Sequence, residues 1–328
     1  MAGTAGVGMT RGFVLGKFMP PHAGHVHLCE TARLLVDELT ILVCWLPDDP
    51  IPGRLRLRWM QELFPQCRVV GHDAVVPQKP EDHPDFWPIW HGIVRAAHTE
   101  PIDVVFAGEE YGLRLSQEIG AGFVLVGPRV DAGVSGTVVR ADPWAHWDDL
   151  PRPVRAHYAR TICLHGPEST GKSTLAPQLA AHFQTRWIPE YGRVHCELFG
   201  TDLDAEGLST IARVQAAMIR AALPDCNRRL IVDTDALTTA AWSLMMLGHV
   251  PVGVLRGFVP ADFYLLTDID VPWTDDGTRY YPAPADRQRF MAACERVLVE
   301  ASVPFVRLGG SPDERLRHAI AAAERLAP

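Results

Sequence analysis

Residues 166–173 read Gly-Pro-Glu-Ser-Thr-Gly-Lys-Ser, the spacing of a phosphate-binding P-loop. Gly166 and Gly171 permit backbone angles that a side chain would forbid. The loop between them, with Glu168, Ser169 and Thr170, can then turn several N–H groups onto one polyphosphate. A helix starting at Lys172, with Ser173 and Thr174 in its first turn, adds the positive end of its dipole. In such a loop the lysine reaches the β- and γ-phosphates of ATP, and the serine hydroxyl meets magnesium. The apolar run Thr161-Ile162-Cys163-Leu164 precedes the loop, so a strand leads into it as the motif requires. The chemistry implied is phosphoryl transfer from ATP.

A P-loop does not name its acceptor. Glu190, in Ile-Pro-Glu-Tyr-Gly-Arg, follows the second strand of this region. A carboxylate there can take the proton from an attacking hydroxyl, or it can be a solvated loop residue. The next apolar strand ends in Asp233-Thr234-Asp235. Asp233 is the better candidate for holding magnesium, and Asp235 is either a helix cap or a substrate contact. Residues 273–279, Trp-Thr-Asp-Asp-Gly-Thr-Arg, read as a surface loop or as a segment closing over sugar and phosphates. In the second case Asp275 and Asp276 accept from ribose hydroxyls and Arg279 sits on the transferring phosphate.

A second constellation lies near the N-terminus. Residues 16–25 read Gly-Lys-Phe-Met-Pro-Pro-His-Ala-Gly-His, between a strand and a helix. His22 and His25, at the start of that helix, can donate to an ATP phosphate chain, and Gly24 lets backbone approach phosphate. This suits nucleotidylyl transfer, where the work is positioning and stabilising departing pyrophosphate. Ser135-Gly136-Thr137 with Arg140 one turn on offers two hydroxyls and a cation at a helix start, which suits the same triphosphate or a plain cap. Trp87 and Trp90, three apart on a helical stretch, are core residues or an aromatic wall for a flat base.

These residues need two α/β units to hold them. In the first, strands at 13–16, 39–45, 68–70, 104–106 and 123–126 alternate with helices at 26–36, 54–64 and 86–97. In the second, strands at 161–164, 187–188, 230–232, 263–266 and 305–308 alternate with helices at 172–183, 204–222, 236–247, 286–301 and 313–326. Alternation of this kind predicts parallel sheets with helices on both faces. The proline-rich stretch near 141–159 breaks the rhythm. The expected organisation is a disordered N-terminus at 1–10, a Rossmann-like nucleotidyltransferase domain at 11–150, a linker at 151–159 and a P-loop kinase domain at 160–328.

The totals narrow the partners. With 31 Lys and Arg against 39 Asp and Glu the net charge is −8, which advertises neither DNA nor an anionic membrane. The 7 cysteines are odd in number and form no C-x-x-C pair, so they read as small buried residues of a reducing compartment. No signal peptide or membrane-spanning run is evident, and a cytoplasmic protein is expected.

Taken in order, Gly16-Lys17-Phe18, His22-Ala23-Gly24-His25, Ser135-Gly136-Thr137 with Arg140, the P-loop, Glu190-Tyr191-Gly192-Arg193, Asp233-Thr234-Asp235 and Trp273 through Arg279 resemble the NadR family. The resemblance spans residues 11–326. It implies a kinase that phosphorylates ribosylnicotinamide with ATP and magnesium, and an adenylyltransferase that joins nicotinamide mononucleotide to AMP from ATP, giving NAD and pyrophosphate. It implies Glu190 as base, Lys172 and Arg279 on transferring phosphate, and Ser173 and Asp233 on magnesium. It also implies Lys17, His22, His25 and Arg140 on the other triphosphate, with Tyr191, Arg193 and Trp273 near substrate. The chain departs from the family in two ways. Only about ten residues precede the first strand, so the helix-turn-helix of some members, and DNA binding, are not expected. Gly136 also stands where the family usually has Ser or Thr. A homo-oligomer stays open, as do a kinase for another nucleoside and a nucleotide sensor with a vestigial first site.

Overall fold

The computed structural model describes residues 9–127, 135–275 and 277–327. They fall into two compact units, dividing between Val154 and Arg155. Residues 1–8, which include most of the segment expected to be disordered, and Asp276 lie outside the described residues.

The first unit runs β1 (Arg11–Gly16), α1 (Ala23–Leu35), β2 (Glu38–Cys44), α2 (Gly53–Leu63), β3 (Arg68–His72), α3 (Phe86–Ala97), β4 (Val104–Ala107), α4 (Tyr111–Ile119), β5 (Gly122–Leu125) and α5 (Gly136–Ala141). Its five strands are parallel, in the order β3-β2-β1-β4-β5. Strand side chains alternate faces, and the sequence fills both with apolar residues. Val14, Ile41, Val43 and Phe106 pack with Leu28, Cys29 and Ala32 of α1 and with Met60 of α2. Phe13, Leu42, Cys44 and Val105 pack with Phe86, Trp90 and Val94 of α3 and with Leu115 of α4. Strand order reverses between β1 and β4, so a crevice opens at their carboxyl ends, where this topology places ligands.

A helix, α6 (Arg152–Tyr158), occupies most of the expected linker, and its Pro153 and Val154 are buried. A boundary rich in proline is thus compatible with order, because proline is tolerated in the first turn of a helix.

The second unit runs β6 (Arg160–His165), α7 (Lys172–His182), β7 (Trp187–Ile188), α8 (Tyr191–Phe199), α9 (Ala205–Ala222), β8 (Arg229–Asp233), α10 (Ala236–Leu247), β9 (Phe263–Thr267), α11 (Pro284–Glu300), β10 (Phe305–Leu308) and α12 (Pro312–Ala323). Its sheet is also parallel, ordered β10-β9-β6-β8-β7. Ile162, Leu164, Ile231, Leu265 and Leu308 meet Leu175 and Leu179 of α7 and Ala319 of α12. On the other face the buried His165 ring joins Thr238 Oγ1 of α10, at 2.8 Å, to the Cys294 carbonyl of α11, at 3.1 Å. Burial pushes this imidazole down to about 3, so it stays neutral.

The helices α4 and α8 were not legible as elements, whereas all ten strands were. No helix among the described residues is long and apolar enough to cross a membrane.

Leu265 is fully buried at the centre of the second sheet's core. Leu265→Ala should cost about 2–5 kcal/mol by chemical denaturation, through lost burial and the cavity it leaves. A loss below 1 kcal/mol would mean that this face collapses around the gap.

Candidate active sites

In the second unit the P-loop joins the end of β6 to α7, beside the ends of β8 and β9. Gly166 has φ +135°, and a Cβ there would stand 2.6 Å from Thr267 Oγ1 and 2.8 Å from Thr267 O. Glycine is required twice over, by backbone angle and by the approach of β9. Thr170 Oγ1 closes the loop with bonds to Pro167 O, at 2.8 Å, and Thr267 Oγ1, at 2.6 Å. Lys172 is buried and its Nζ donates to the carbonyls of Gly166, at 3.0 Å, and Pro167, at 2.8 Å.

One buried guanidinium fixes this loop from behind. Arg315, on α12, donates to Thr170 O at 2.7 Å, Gly310 O at 3.0 Å and Asp268 O at 3.1 Å, and pairs with Asp270. It thereby ties the P-loop to the ends of β9 and β10. Nothing in the Arg-Leu-Arg spacing at 315–317 distinguishes it from a solvated helix residue.

Four carboxylates sit in different surroundings. Asp233, ending β8, is 1% exposed, and its Oδ1 has no hydrogen-bond partner. Burial raises its pKa; the Lys172 charge and a hydrogen bond from Ser173 pull the other way. Asp235 is also buried. Its Oδ1 caps α10, accepting from Leu237 N at 2.9 Å and Thr238 N at 3.4 Å, while its Oδ2 accepts from Tyr264 Oη at 2.5 Å. The expected substrate contact of Asp235 therefore gives way to its cap, because both oxygens are engaged inside the protein. Burial pushes this carboxyl up to about 6.

Glu190 is half-buried, lines the cavity beside the P-loop, and does not cap the helix it precedes. Its place is set by Gln215, a buried residue of α9 that sequence reasoning missed. The Gln215 amide accepts from Tyr191 N at 2.8 Å and donates to Pro189 O at 3.2 Å and Thr234 O at 3.1 Å. One side chain thus holds the ends of β7 and β8 at fixed separation. The fourth carboxylate, Glu168, accepts from Trp273 Nε1 and from the backbone N–H groups of Tyr280 and Tyr281.

The cavity gathers Glu168 through Thr174, Glu190, Arg193 and Arg279. Arg279 Nη1 donates to Ser169 Oγ at 2.8 Å. Tyr191, Trp273, Asp233 and Asp235 are not among the cavity's lining residues, although Asp233 accepts a hydrogen bond from Ser173, which is. Asp275 is exposed, accepts from Gly277 N at 3.0 Å, and does not line the cavity, so the expected ribose contact is not brought to the site. Trp242 and Tyr280, neither singled out in the sequence, do line it, with ring centroids 5.5 Å apart. The spacing of Trp242 on an apolar helix looks like core packing, and only the fold shows one of its sides facing the site.

In the first unit a cavity of about 790 Å³ lies at the switch point. It is lined by Gly16, Lys17, Phe18, His22, Gly24 and His25 from the β1–α1 turn, by Trp87 and Trp90 of α3, and by Ser135 and Gly136. His22 caps α1, and its Nδ1 accepts from Gly24 N at 3.2 Å. That bond makes Nε2 the protonated nitrogen of the neutral ring. Its centroid is 3.9 Å from that of His25. Burial, reinforced by His22, pushes His25 down to about 3, and its Nδ1 is buried without a partner. Burial lowers His22 too, opposed by Asp149. Two neutral imidazoles thus occupy the helix start.

Arg56 of α2, fully buried, organises the turn. It donates to Lys17 O at 2.5 Å, Ile51 O at 3.0 Å and Asp49 Oδ2 at 2.6 Å. Asp49 in turn pairs with Lys17 Nζ at 3.5 Å. This Arg56–Asp49–Lys17 chain was missed, because an arginine within Arg-Leu-Arg-Leu-Arg reads as helix surface. Ser135 caps α5 through Val138 N at 3.4 Å. Thr137 and Arg140 do not line the cavity. Arg140 holds Met19 O and donates to Thr137 Oγ1 at 3.1 Å. A Cβ on Gly136 would stand 2.8 Å from Met19 O, which explains the glycine there. Trp90 is buried and donates to Pro77 O at 3.1 Å, and Arg114 lies 5.7 Å over the half-buried Trp87 ring.

Fold and site together define a protein of two nucleotide-binding α/β units, one with a P-loop and one with paired histidines at the switch point of a Rossmann-like sheet. A protein-family model described as an AAA domain matches residues 161–315. The Escherichia coli (strain K12) trifunctional NAD biosynthesis/regulator protein NadR is 32% identical over 324 residues, covering 91% of this chain and 78% of that protein. A nicotinamide-nucleotide adenylyltransferase of Pyrobaculum arsenaticum is 28% identical over 117 residues, 34% of this chain and 64% of that protein. A crystal structure of NadR protein in complex with NR superposes with a TM-score of 0.76 at 21% identity, covering 98% of this chain and 96% of that one. The chain belongs to the NadR family.

The His25 environment makes a pH prediction. Its folded pKa of about 3 lies below the ordinary 6.5, so the unfolded chain binds the proton first. The neutral ring's contribution is whole above pH 6.5 and is lost as pH falls toward 3. Unfolding free energy should drop by up to about 1.4 kcal/mol per pH unit across this window, and His25→Asn should flatten the slope. An NMR titration showing His25 protonating near pH 6.5 would contradict the burial argument.

Proposed function

We propose that this chain is a bifunctional enzyme of NAD biosynthesis. Its second unit phosphorylates ribosylnicotinamide with ATP to nicotinamide mononucleotide. Its first unit joins that mononucleotide to AMP from a second ATP, giving NAD and releasing pyrophosphate. Family membership, the names of the relatives and the two separate cavities support this reading. The observation that carries the kinase half is the buried, unpartnered Asp233 Oδ1 beside Ser173 at the P-loop.

An orphaned carboxylate oxygen in a phosphate site fits a divalent cation. No group of three or more His, Cys, Asp or Glu suited to a metal exists among the described residues. That suits magnesium, which takes one or two protein oxygens and draws the rest from phosphates and water. Ser173 and Asp233 would hold it, and it would neutralise charge on the β- and γ-phosphates.

In the kinase reaction the 5′-hydroxyl of the nucleoside attacks the γ-phosphorus, its proton passes to Glu190, and ADP departs. Lys172 leaves the Gly166 and Pro167 carbonyls for the phosphates, while Arg279 meets the charge on the transferring group. The faces of Trp242 and Tyr280 offer π surface to a flat, cationic nicotinamide ring. In the adenylyltransferase reaction the mononucleotide's phosphate attacks the α-phosphorus of ATP. His22, through Nε2–H, stabilises the departing pyrophosphate as a neutral donor, His25 packs beside it at the helix start, and Lys17 adds charge at the rim. Arg140 acts behind them, holding the Met19 carbonyl. Trp87 and Trp90 form the apolar wall for the base. All seven cysteines are unpaired, which suits a cytoplasmic enzyme.

The two sites are separable. Lys172→Ala should lower kinase kcat about 10²-fold or more, yet leave NAD formation from added mononucleotide within about twofold. His25→Ala should do the reverse. Following mononucleotide and NAD over time, with ribosylnicotinamide, ATP and magnesium supplied, measures both. Loss of both activities in either folded variant would contradict independent sites. Asp233→Asn should raise the magnesium needed for half-maximal kinase activity about tenfold or more, with adenylyltransferase activity unmoved.

A further inference from the structure

A carboxylate within a polyphosphate-binding loop needs an explanation, because it repels the ligand the loop collects. Glu168 is such a group. It lies two residues after Gly166 and is 7% exposed. Among the described residues no lysine or arginine pairs with it. Every hydrogen bond it makes comes from one direction. Trp273 Nε1 donates to Oε1 at 3.1 Å, Tyr281 N donates to Oε1 at 2.7 Å, and Tyr280 N lies 3.0 Å from both oxygens.

The next residue repeats the pattern. Ser169, held at φ +58°, accepts through Oγ from Thr274 N at 2.8 Å and from Arg279 Nη1 at 2.8 Å. Two consecutive P-loop side chains thus grip the Trp273–Thr274 and Arg279–Tyr281 stretches. These stretches carry the cavity's Arg279 and Tyr280. An ionised acceptor makes stronger hydrogen bonds than a neutral one, and its bonds to backbone N–H leave those residues little freedom.

We propose that Glu168 is a positioning residue for the kinase reaction: its carboxylate latches the strap formed by the Trp273–Thr274 and Arg279–Tyr281 stretches to the P-loop and so brings Arg279 and Tyr280 to the transferring phosphate and the nucleoside. The inference rests on the kinase reading for its kinetic consequence, but not for the latch itself. Both Glu168 oxygens are already engaged by these N–H groups. Its removal should therefore lower kcat and raise the nucleoside KM without weakening ATP.

The test uses the full chain as Glu168→Ala, Glu168→Gln and Trp273→Phe, with trypsin cleavage at the Arg279–Tyr280 bond followed by mass spectrometry. Cleavage should quicken at least tenfold in Glu168→Ala. It should quicken less in Glu168→Gln, which keeps one acceptor oxygen, and least in Trp273→Phe, which loses one donor. Kinase kcat should fall in the same order, the nucleoside KM should rise, and the ATP dissociation constant should stay within threefold or tighten. Unchanged cleavage in all three variants overturns the latch. A tenfold loss of ATP affinity with unchanged cleavage also overturns it, since Glu168 would then serve the nucleotide. If Glu168→Ala fails to fold, the order of Glu168→Gln and Trp273→Phe against the parent decides. Should the parent not phosphorylate ribosylnicotinamide, the kinase reading fails while the cleavage series still decides the latch.

Discussion

A buried arginine with most of its donors engaged governs each unit. Arg56 gathers the Lys17 and Ile51 carbonyls and the Asp49 carboxylate; Arg315 gathers the Thr170, Gly310 and Asp268 carbonyls and the Asp270 carboxylate. In a parallel sheet the ligand loops leave the carboxyl ends of separate strands, and nothing in the ladder fixes one loop against the next. A planar guanidinium with five donors can bond several loops at once, and a lysine could not. Each arginine is a rigid rivet, and the histidines, P-loop and carboxylates take their positions from it. Loss of one would leave carbonyls buried and unpaired, a cost well beyond that of a surface ion pair.

The carboxylates of the second unit show how environment assigns roles to one chemical group. Glu168 is bonded to strap N–H groups, Asp235 to its helix and to Tyr264, and Asp233 keeps an oxygen with no partner. Only the last has unused capacity where phosphates would lie. Glu190 stands at the cavity wall with its backbone steadied by Gln215. The order of these residues along the chain says nothing of this division. It follows from which N–H groups the fold leaves within reach.

The motifs and the strands were legible because both are local. A P-loop is eight consecutive residues, and a buried parallel strand is a short apolar run. All ten strands and the helices α1 to α3, α7 and α9 to α12 could be read in this way. The positions of Arg56, Gln215 and Arg315 could not, since each polar residue sits on a helix whose sequence reads as amphipathic surface. Their meaning depends on which loops arrive from tens of residues away. Asp235 reads in the sequence as a helix cap or a substrate contact, and Asp275 as a loop residue or a ribose contact; direction decides, since one points into its own helix cap and the other into a turn. Gly136 appeared as a departure from the family pattern. The nearness of Met19 O makes it a steric requirement.

That last contact has a consequence for binding. Met19 O is approached from one side by Gly136 and is held from another by Arg140, so the turn bearing His22 and His25 and the start of α5 are keyed together before any ligand arrives. A loop that must be ordered by its ligand surrenders conformational entropy at the moment of binding. Here that ordering is completed during folding, and the first site meets a nucleotide as a ready-made mould.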